Sequence, residues 1–563
     1  MILALSFVAF VVAWVLPGHY IPWTTFQQEI AAAIGGLLAG LAFIASPVAK
    51  RLVLGPVSIF AIALGVVPML QWSLGQFPYL ADGALPFLYA VGFGLTAAVS
   101  GTFVRAGHVT PISGLHAAML AACLLSCAAA LYQWLPLGPS GWVEVIGPTD
   151  RVFANFTQPN HFAVLMAFGM TSVLWLFEKR RVGIAVACMS LLFFGFALVM
   201  SESRAGWMFV GLLASWTLIG RRTVHLRTHP MAVLTAIAVF AAMTVLWAPL
   251  NIWLNGAPPT TVLADRATEL GGRSILWQVM WDAALQKPIF GWGWLQVPRA
   301  QLSATLSFPA NYEWLTYSHN GILDLFVWLG IPLGLFVTGA VAYWLFSRAR
   351  ACNDPDKWAL LGLLGVVLAH SLVEFPYAYL YFLLPAAIAA GAIEAGMPSH
   401  SPAQAVSLPK WGLAVATLGM AGGLATIAID YLTLDEQSRR ARFLEAGYDF
   451  DGVKPTVPAV RLLDNQRDLL WLRLTEARTD MTAAELDRMQ KVAQRYLPPA
   501  ALLRYAMAAG LNQRPDDARL YLEYLCNLSR PRNCDDGRTA WLKAQESFPQ
   551  LTAVNFPGAP LPH

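Results

Sequence analysis

The chain has 563 residues, 57% of them hydrophobic and only 12% charged, with a formal net charge of +4. Soluble domains carry roughly 25% charged residues, so this composition excludes a single soluble globular protein. Charge is sparse up to about Ile429 and ordinary from Asp430 onward, which points to a membrane body followed by a water-facing tail. No basic patch with interleaved aromatics occurs, which sets nucleic-acid binding aside.

The first apolar run, 2–17, lacks a basic flank and a small-residue cleavage site, and so reads as a span and not as a removed signal peptide. A span takes about 20 apolar residues. Further runs of that kind fall near 29–46, 52–70, 84–104, 113–134, 161–177, 183–200, 204–220, 231–249, 319–346, 357–373, 376–396 and 410–432. The fold class expected is therefore all-α, a polytopic membrane protein of about thirteen helices. Basic residues mark alternate loops: Lys50 and Arg51, Arg105, Lys179 to Arg181, Arg221 and Arg222 with Arg227, then Arg348, Arg350 and Lys357. The intervening short loops hold only Arg151. Positive charge is retained in the cytoplasm, so the N-terminus is expected there, with the long loop 250–318 and the tail from 433 on the outer side. The expected domains are a membrane body, 1–432, that includes this loop, and a helical domain, 433–563. Within the latter, Leu503–Leu511 and Arg514–Leu525 read as a helix hairpin with small residues Ala506, Ala509 and Ala518 at its contact, reminiscent of tetratricopeptide units. A helical stretch is expected at 274–286. Of the six cysteines, Cys526 and Cys534 lie in the tail, in an oxidising compartment by this topology, and are expected to pair.

Ionisable and polar residues at membrane depth are costly and are functional by default. Those expected on the outer side form five clusters. Phe156-Thr157-Gln158-Pro159-Asn160-His161 opens a span, with proline suited to the first helical position. Free N–H groups there, with Gln158, Asn160, His161 and nearby Arg151, favour an anion. Ser201-Glu202-Ser203-Arg204 forms a tight turn, and a guanidinium at its exit can pair bidentately with phosphate oxygens. Arg273 stands just before the helical stretch, with Pro288-Ile289-Phe290-Gly291-Trp292-Gly293-Trp294 after it. Tyr317-Ser318-His319-Asn320-Gly321 stands at the start of a long span, where a histidine neutral near pH 7 can accept a proton from a hydroxyl. His370 and Glu374, spaced to face each other on a helix, precede Tyr377 and Tyr379. No metal-ligand spacing occurs and the arginines would repel a cation, so neither a metal nor a cofactor is expected.

Arg273 to Trp277, Pro288 to Gly293, His319-Asn320-Gly321 through Gly330-Ile331-Pro332, and Ser203-Arg204 resemble the O-antigen ligase and polymerase superfamily. Gln158-Pro159-Asn160-His161 and the opening His19-Tyr20-Ile21-Pro22-Trp23, with Phe26 and Glu29, narrow the resemblance to bacterial protein O-oligosaccharyltransferases of the PglL type. The matching motifs run from residue 19 to about 381. The resemblance implies an integral-membrane glycosyltransferase of the bacterial inner membrane, with a periplasmic C-terminal domain. Its donor would be an oligosaccharide on undecaprenyl diphosphate, and its acceptor a serine or threonine hydroxyl of a periplasmic protein, pilin being frequent. It implies His319 as the essential histidine and Arg204 and Arg273 as the diphosphate-binding arginines. Gln158 and one tyrosine among Tyr377, Tyr379 and Tyr381 would line the site. A ligase to lipid A–core or a glycan polymerase shares the arginines and histidine and is the alternative within the class. A transporter is the alternative from another class, but it would set its charges near the bilayer midplane in repeated halves.

Overall fold

A computed structural model of the chain describes residues 1–135, 137–138, 140–147, 150–156, 158–256, 266–396, 406–449 and 452–558. It is almost wholly helical. Helices α1 (Ile2–Val15), α2 (Phe26–Ala45), α3 (Pro56–Ser73), α4 (Leu80–Arg105), α5 (Thr110–Trp134), α6 (Pro159–Glu178), α7 (Ile184–Met200), α8 (Arg204–Thr223) and α9 (Pro230–Asn255) come first. They are followed by α10 (Arg266–Gln286), α11 (Val297–Ala304), α12 (Gly321–Leu329), α13 (Ile331–Arg350), α14 (Pro355–His370), α15 (Leu380–Ala395) and α16 (Lys410–Glu445). The tail adds α17 (Asp464–Leu474), α18 (Ala483–Tyr496), α19 (Pro499–Leu511), α20 (Pro515–Leu528) and α21 (Pro531–Ser547). The strands among the described residues are β1 (Arg51–Val53) and β2 (Ser407–Pro409), paired antiparallel with Leu52 opposite Leu408.

Each expected window contains a helix, although β1 takes the start of 52–70 and the windows 319–346, 357–373 and 376–396 are not helical throughout. Eight described helices are long and apolar enough to cross a membrane: α2, α3, α4, α5, α6, α9, α13 and α16. Three shorter apolar helices, α1, α7 and α15, accompany them. In hydrocarbon every backbone group needs a partner, which a helix supplies internally, so this is an integral membrane protein.

Among the boundaries that differ from expectation, α16 runs to Glu445, past the expected 432, and three others bear on the candidate site. The window 319–346 is not one helix: Gly330, at φ +80°, separates α12 from α13. Hydropathy is uniform across that point, and a backbone break leaves no mark on it. Helix α9 continues to Asn255, so the long loop starts later than residue 250, and its residues 257–265 lie outside those described. Helix α10 begins at Arg266, which places Arg273 within the helix and not ahead of it.

The chain divides into two compact units. The first comprises Met1–Val66, Phe87–Leu263 and Val341–Ala425. Its core is apolar, with Trp14, Phe10, Phe162, Phe168, Trp358 and Tyr381 all buried. The second comprises Val67–Pro86, Ala264–Ala340 and Thr426–His563. The tail thus groups with the long loop and the α3–α4 corner, a division other than the expected boundary at 432/433. Its core runs from Tyr79 and Leu302 through Leu486, Val492, Leu502 and Tyr505 to Trp541 and Val554. Helices α19 and α20 pack as a hairpin, and Ala506, Ala509 and Ala518 are fully buried there. Cys526 and Cys534 are joined by a disulfide, with Cα atoms 4.7 Å apart.

Candidate functional site

In the first unit, four segments meet at one end of the helix bundle: the loop before α6, the start of α6, the turn between α7 and α8, and the stretch joining α14 to α15. Pro159 occupies the first position of α6 behind Gln158, whose extended backbone caps the helix without a side-chain bond. That leaves the Asn160 side chain to face its neighbours, and it becomes the hub. Its Oδ1 accepts from Ser203 Oγ at 2.7 Å and from Arg151 Nη2 at 3.4 Å. Its Nδ2 donates to Glu374 Oε1 at 3.0 Å. Arg151 Nε also donates to the Ser201 carbonyl at 3.0 Å, tying the loop to the turn. Arg204, the first residue of α8, follows Ser203 directly and is exposed, while Glu374 is buried.

One turn into α6, His161 is buried and its Nδ1 lies 2.9 Å from the Tyr381 hydroxyl. The Tyr379 ring packs edge-on to His161 at 4.5 Å. Helix α14 ends at His370, so Glu374 does not continue its face. The two residues meet through the backbone, the Glu374 N–H donating to the His370 carbonyl at 2.8 Å, and the Glu374 carboxylate turns to Asn160 instead. His370 is fully buried, with its ring 5.5 Å from Phe209. Tyr377 lies in a short 3-10 turn, Pro376–Ala378.

In the second unit, His319 is held by what surrounds it. The Ser318 N–H donates to Asp324 Oδ1 at 2.8 Å, and Ser318 Oγ donates to the Asn320 carbonyl at 2.9 Å. The Ser318 carbonyl accepts from Trp277 Nε1 at 3.1 Å. Asn320 caps α12, its Oδ1 accepting from the N–H groups of Ile322 and Leu323 at 3.1 and 3.2 Å, as a helix start requires. These bonds fix the chain on both sides of His319, which adopts a left-handed backbone at φ 56°. Such a conformation costs a residue with a Cβ about 1–3 kcal/mol and persists where the surroundings over-determine it. Arg273 stands four residues before Trp277 and so shares its face of α10. The Trp277–Ser318 bond thus ties the helix that carries Arg273 to the chain that carries His319. Glu202, between Ser201 and Ser203, and Ala154, in the loop before α6, are left-handed as well, at φ 48° and 54°.

In the first unit the structure ties Arg151, Asn160 and Glu374 by hydrogen bonds, His370 to Glu374 through the backbone and His161 to Tyr379 by ring contact, with Gln158, Arg204 and Tyr377 near them along the chain; Arg273, His319 and Asn320 lie in the second unit. Sequence reasoning missed one support, Asp324, and read another, Glu29, only as part of the opening motif. Asp324 is buried one turn into α12, where an acidic residue behind an asparagine cap is itself a legible sign. Glu29 is buried on α2 and accepts from the Tyr89 hydroxyl at 3.0 Å and from the Leu380 N–H at 2.8 Å, fixing the start of α15. Among the described residues, no group of three or more His, Cys, Asp or Glu is placed to hold a metal ion.

Residues 188–338 match the family described as O-antigen ligase. Residues 358–528 match that described as virulence factor membrane-bound polymerase, C-terminal. A general O-oligosaccharyltransferase of Acinetobacter baylyi is 28% identical over 543 residues, covering 94% of this chain and 93% of its own length. A ComP-specific O-oligosaccharyltransferase of the same organism is 28% identical over 244 residues, 43% of this chain and 44% of its own.

Proposed function

The chain is a PglL-type relative of the protein O-oligosaccharyltransferases, and on that premise we propose that it transfers an oligosaccharide from a lipid carrier to proteins. In finer terms, the donor is a preassembled glycan on undecaprenyl diphosphate, and the acceptors are serine or threonine hydroxyls of periplasmic proteins such as pilin. The chain sits in the inner membrane with its N-terminus in the cytoplasm and its tail in the periplasm. The observation that carries this reading is the Asn160 hub, which draws Arg151, Ser203 and Glu374 from three other segments to one end of the bundle beside an exposed Arg204.

The acceptor oxygen attacks the anomeric carbon, the bond from that carbon to the diphosphate breaks, and undecaprenyl diphosphate leaves carrying the electron pair. The hydroxyl proton passes to His319, a general base worth about 10²–10⁴-fold. Arg204 and Arg273 pair with the diphosphate more strongly as its charge grows, which is stabilisation of the transition state and not of the bound donor. One such contact is worth ~3–4 kcal/mol by analogy with a lost oxyanion donor. Gln158 and a tyrosine of the 377–381 stretch line the site, and direct displacement inverts the anomeric centre. The reaction needs no metal, because the guanidinium groups supply the positive charge.

The test is transfer in vitro from a glycan on undecaprenyl diphosphate to pilin in the presence of EDTA, read by mass spectrometry of the acceptor. Absence of glycopeptide with a donor and acceptor drawn from the same cell would end the reading. The ligase and polymerase family matches favour a second reading, in which the acceptor is lipid A–core or a second glycan chain. The same assay separates them when these acceptors compete with pilin.

A further inference from the structure

The corner between α10 and α11 exposes large apolar side chains. Ile289 is 64% and Phe290 76% exposed, and Leu285 and Trp281 on the preceding helix are exposed as well. A contiguous apolar patch of this kind marks a surface that meets something other than water.

Two ties set the corner beside the ends of apolar helices. The N–H of Ile331, first residue of α13, donates to the Pro288 carbonyl at 2.7 Å. Gly330 leaves room there that a Cβ would take from the Ile289 carbonyl oxygen. Gln76, three residues past α3, donates from Nε2 to the carbonyls of Phe290 and Gly291 at 3.1 and 3.0 Å. Both α3 and α13 are candidate membrane spans with most of their surface uncovered by protein. Their exposed residues nearest the corner, Leu70 on one with Leu74 just past its end and Leu333, Leu335 and Phe336 on the other, are apolar as well.

Hydrocarbon requires that the polar groups of a non-helical backbone find partners, and several of the corner's do so within the protein. The carbonyls of Pro288, Phe290 and Gly291 accept the bonds just given, and that of Lys287 accepts from the Gly291 N–H at 3.0 Å. The Trp292 N–H donates to the Val327 carbonyl at 2.6 Å. The segment's cation, the exposed Lys287, lies over the Trp292 ring with Nζ 4.1 Å from its centroid, and a lysine's long apolar stem can keep its ammonium at the headgroups while neighbours enter lipid.

We propose that residues 285–290 dip into the lipid leaflet at the membrane face where α3 ends and α13 begins, with the side chains of Leu285, Ile289 and Phe290 among the acyl chains of bulk lipid. The loop that carries Arg273 is then fastened to the bilayer at the end of α10 instead of standing wholly in water. This rests on the chain being an integral membrane protein and is independent of the transferase reading.

The test uses full-length protein in phospholipid nanodiscs, one chain per disc, in a Cys188→Ser background that removes the exposed free thiol. A nitroxide is attached at Phe290→Cys, with Leu335→Cys as lipid-facing control and Lys543→Cys in the tail as aqueous control. Collision rates with oxygen and with a water-soluble nickel chelate are then compared. The label at 290 is expected to match the one at 335, several-fold less accessible to nickel than the one at 543. If position 290 does not tolerate cysteine, Ile289→Cys gives the same readout. Nickel access equal to that at 543 would overturn the proposal. So would protection that appears only when acceptor protein is added, since the patch would then be a protein-docking surface.

Discussion

Each unit holds a polar hub, and the two are built from similar groups but finished differently. In the first, Asn160 gathers Arg151, Ser203 and Glu374, and the next charge along the chain, Arg204, stays exposed. In the second, Asp82 in the first turn of α4 is fully buried. Its carboxylate accepts from Arg495 Nε and Nη2 at 2.7 and 2.9 Å, from Asn465 Nδ2 at 3.0 Å and from Gln296 Nε2 at 3.1 Å. A bidentate guanidinium and two amides saturate it. An ionisable residue within an apolar helix is a functional hypothesis by default, yet Asp82 is framework: it binds the α3–α4 corner to the loop and the tail, and nothing from outside reaches it. Exposure, more than charge, separates the site from its scaffold.

That contrast breaks if His319→Ala leaves glycan transfer intact. The expected loss is about 10²–10⁴-fold in turnover with the protein inserted at normal levels, measured by transfer in vitro beside a membrane-insertion assay. Next in size, Asp82→Ala should cost ~3–5 kcal/mol of stability by stranding the Arg495 guanidinium in the core. The paired Asp82→Leu/Arg495→Met chain should recover most of it, because the buried charges leave together, and thermal unfolding in detergent reads both. A double variant as unstable as Asp82→Ala would mean that the hub is more than framework. Arg204→Lys should show the reverse profile, an unchanged melting temperature with turnover lowered by about 10²-fold, since a point charge does not replace the planar fork. Cys526→Ala/Cys534→Ala should lose ~2–3 kcal/mol on loop entropy, given a sequence separation of 8.

The smallest expected effect concerns pH. Glu485 closes a capping box on Thr482. The Thr482 N–H, Arg478 and the Thr482 hydroxyl together push its carboxyl down from 4.5 to about 2. A depressed carboxyl adds stability that is full above the unfolded value and fades as pH falls through the folded one. Stability of the natural chain should therefore decline more steeply between pH 4.5 and about 2 than that of Glu485→Gln, as followed by unfolding across that range.

The sequence was most legible where a single physical scale governs the outcome. The apolar windows proved largely helical because hydropathy and helix length are both local. The start of α6 was legible for a like reason, since Pro159 suits a first helical position whatever surrounds it. The Asn160 hub was legible only as a motif, because Glu374 stands 214 residues away. Tyr381 could not be told from Tyr377 and Tyr379, which repeat at alternate positions; its contact with His161 depends on how α15 is turned. The break at Gly330 was invisible because glycine between Leu329 and Ile331 leaves apolarity undisturbed. Asp82 was passed over because it precedes the expected run 84–104, whereas α4 begins at Leu80 and the partners of Asp82 come from segments far along the chain.

The left-handed turn at residue 319 bears on how this position would drift. Glycine and asparagine occupy that region of backbone space more comfortably than histidine, so a chain relieved of any demand for an imidazole would gain by losing it. On the proposed reading, the imidazole stands at this position because the reaction uses it as a base. The His319→Gly variant would give a relaxed and silent chain for trapping whatever the natural one consumes.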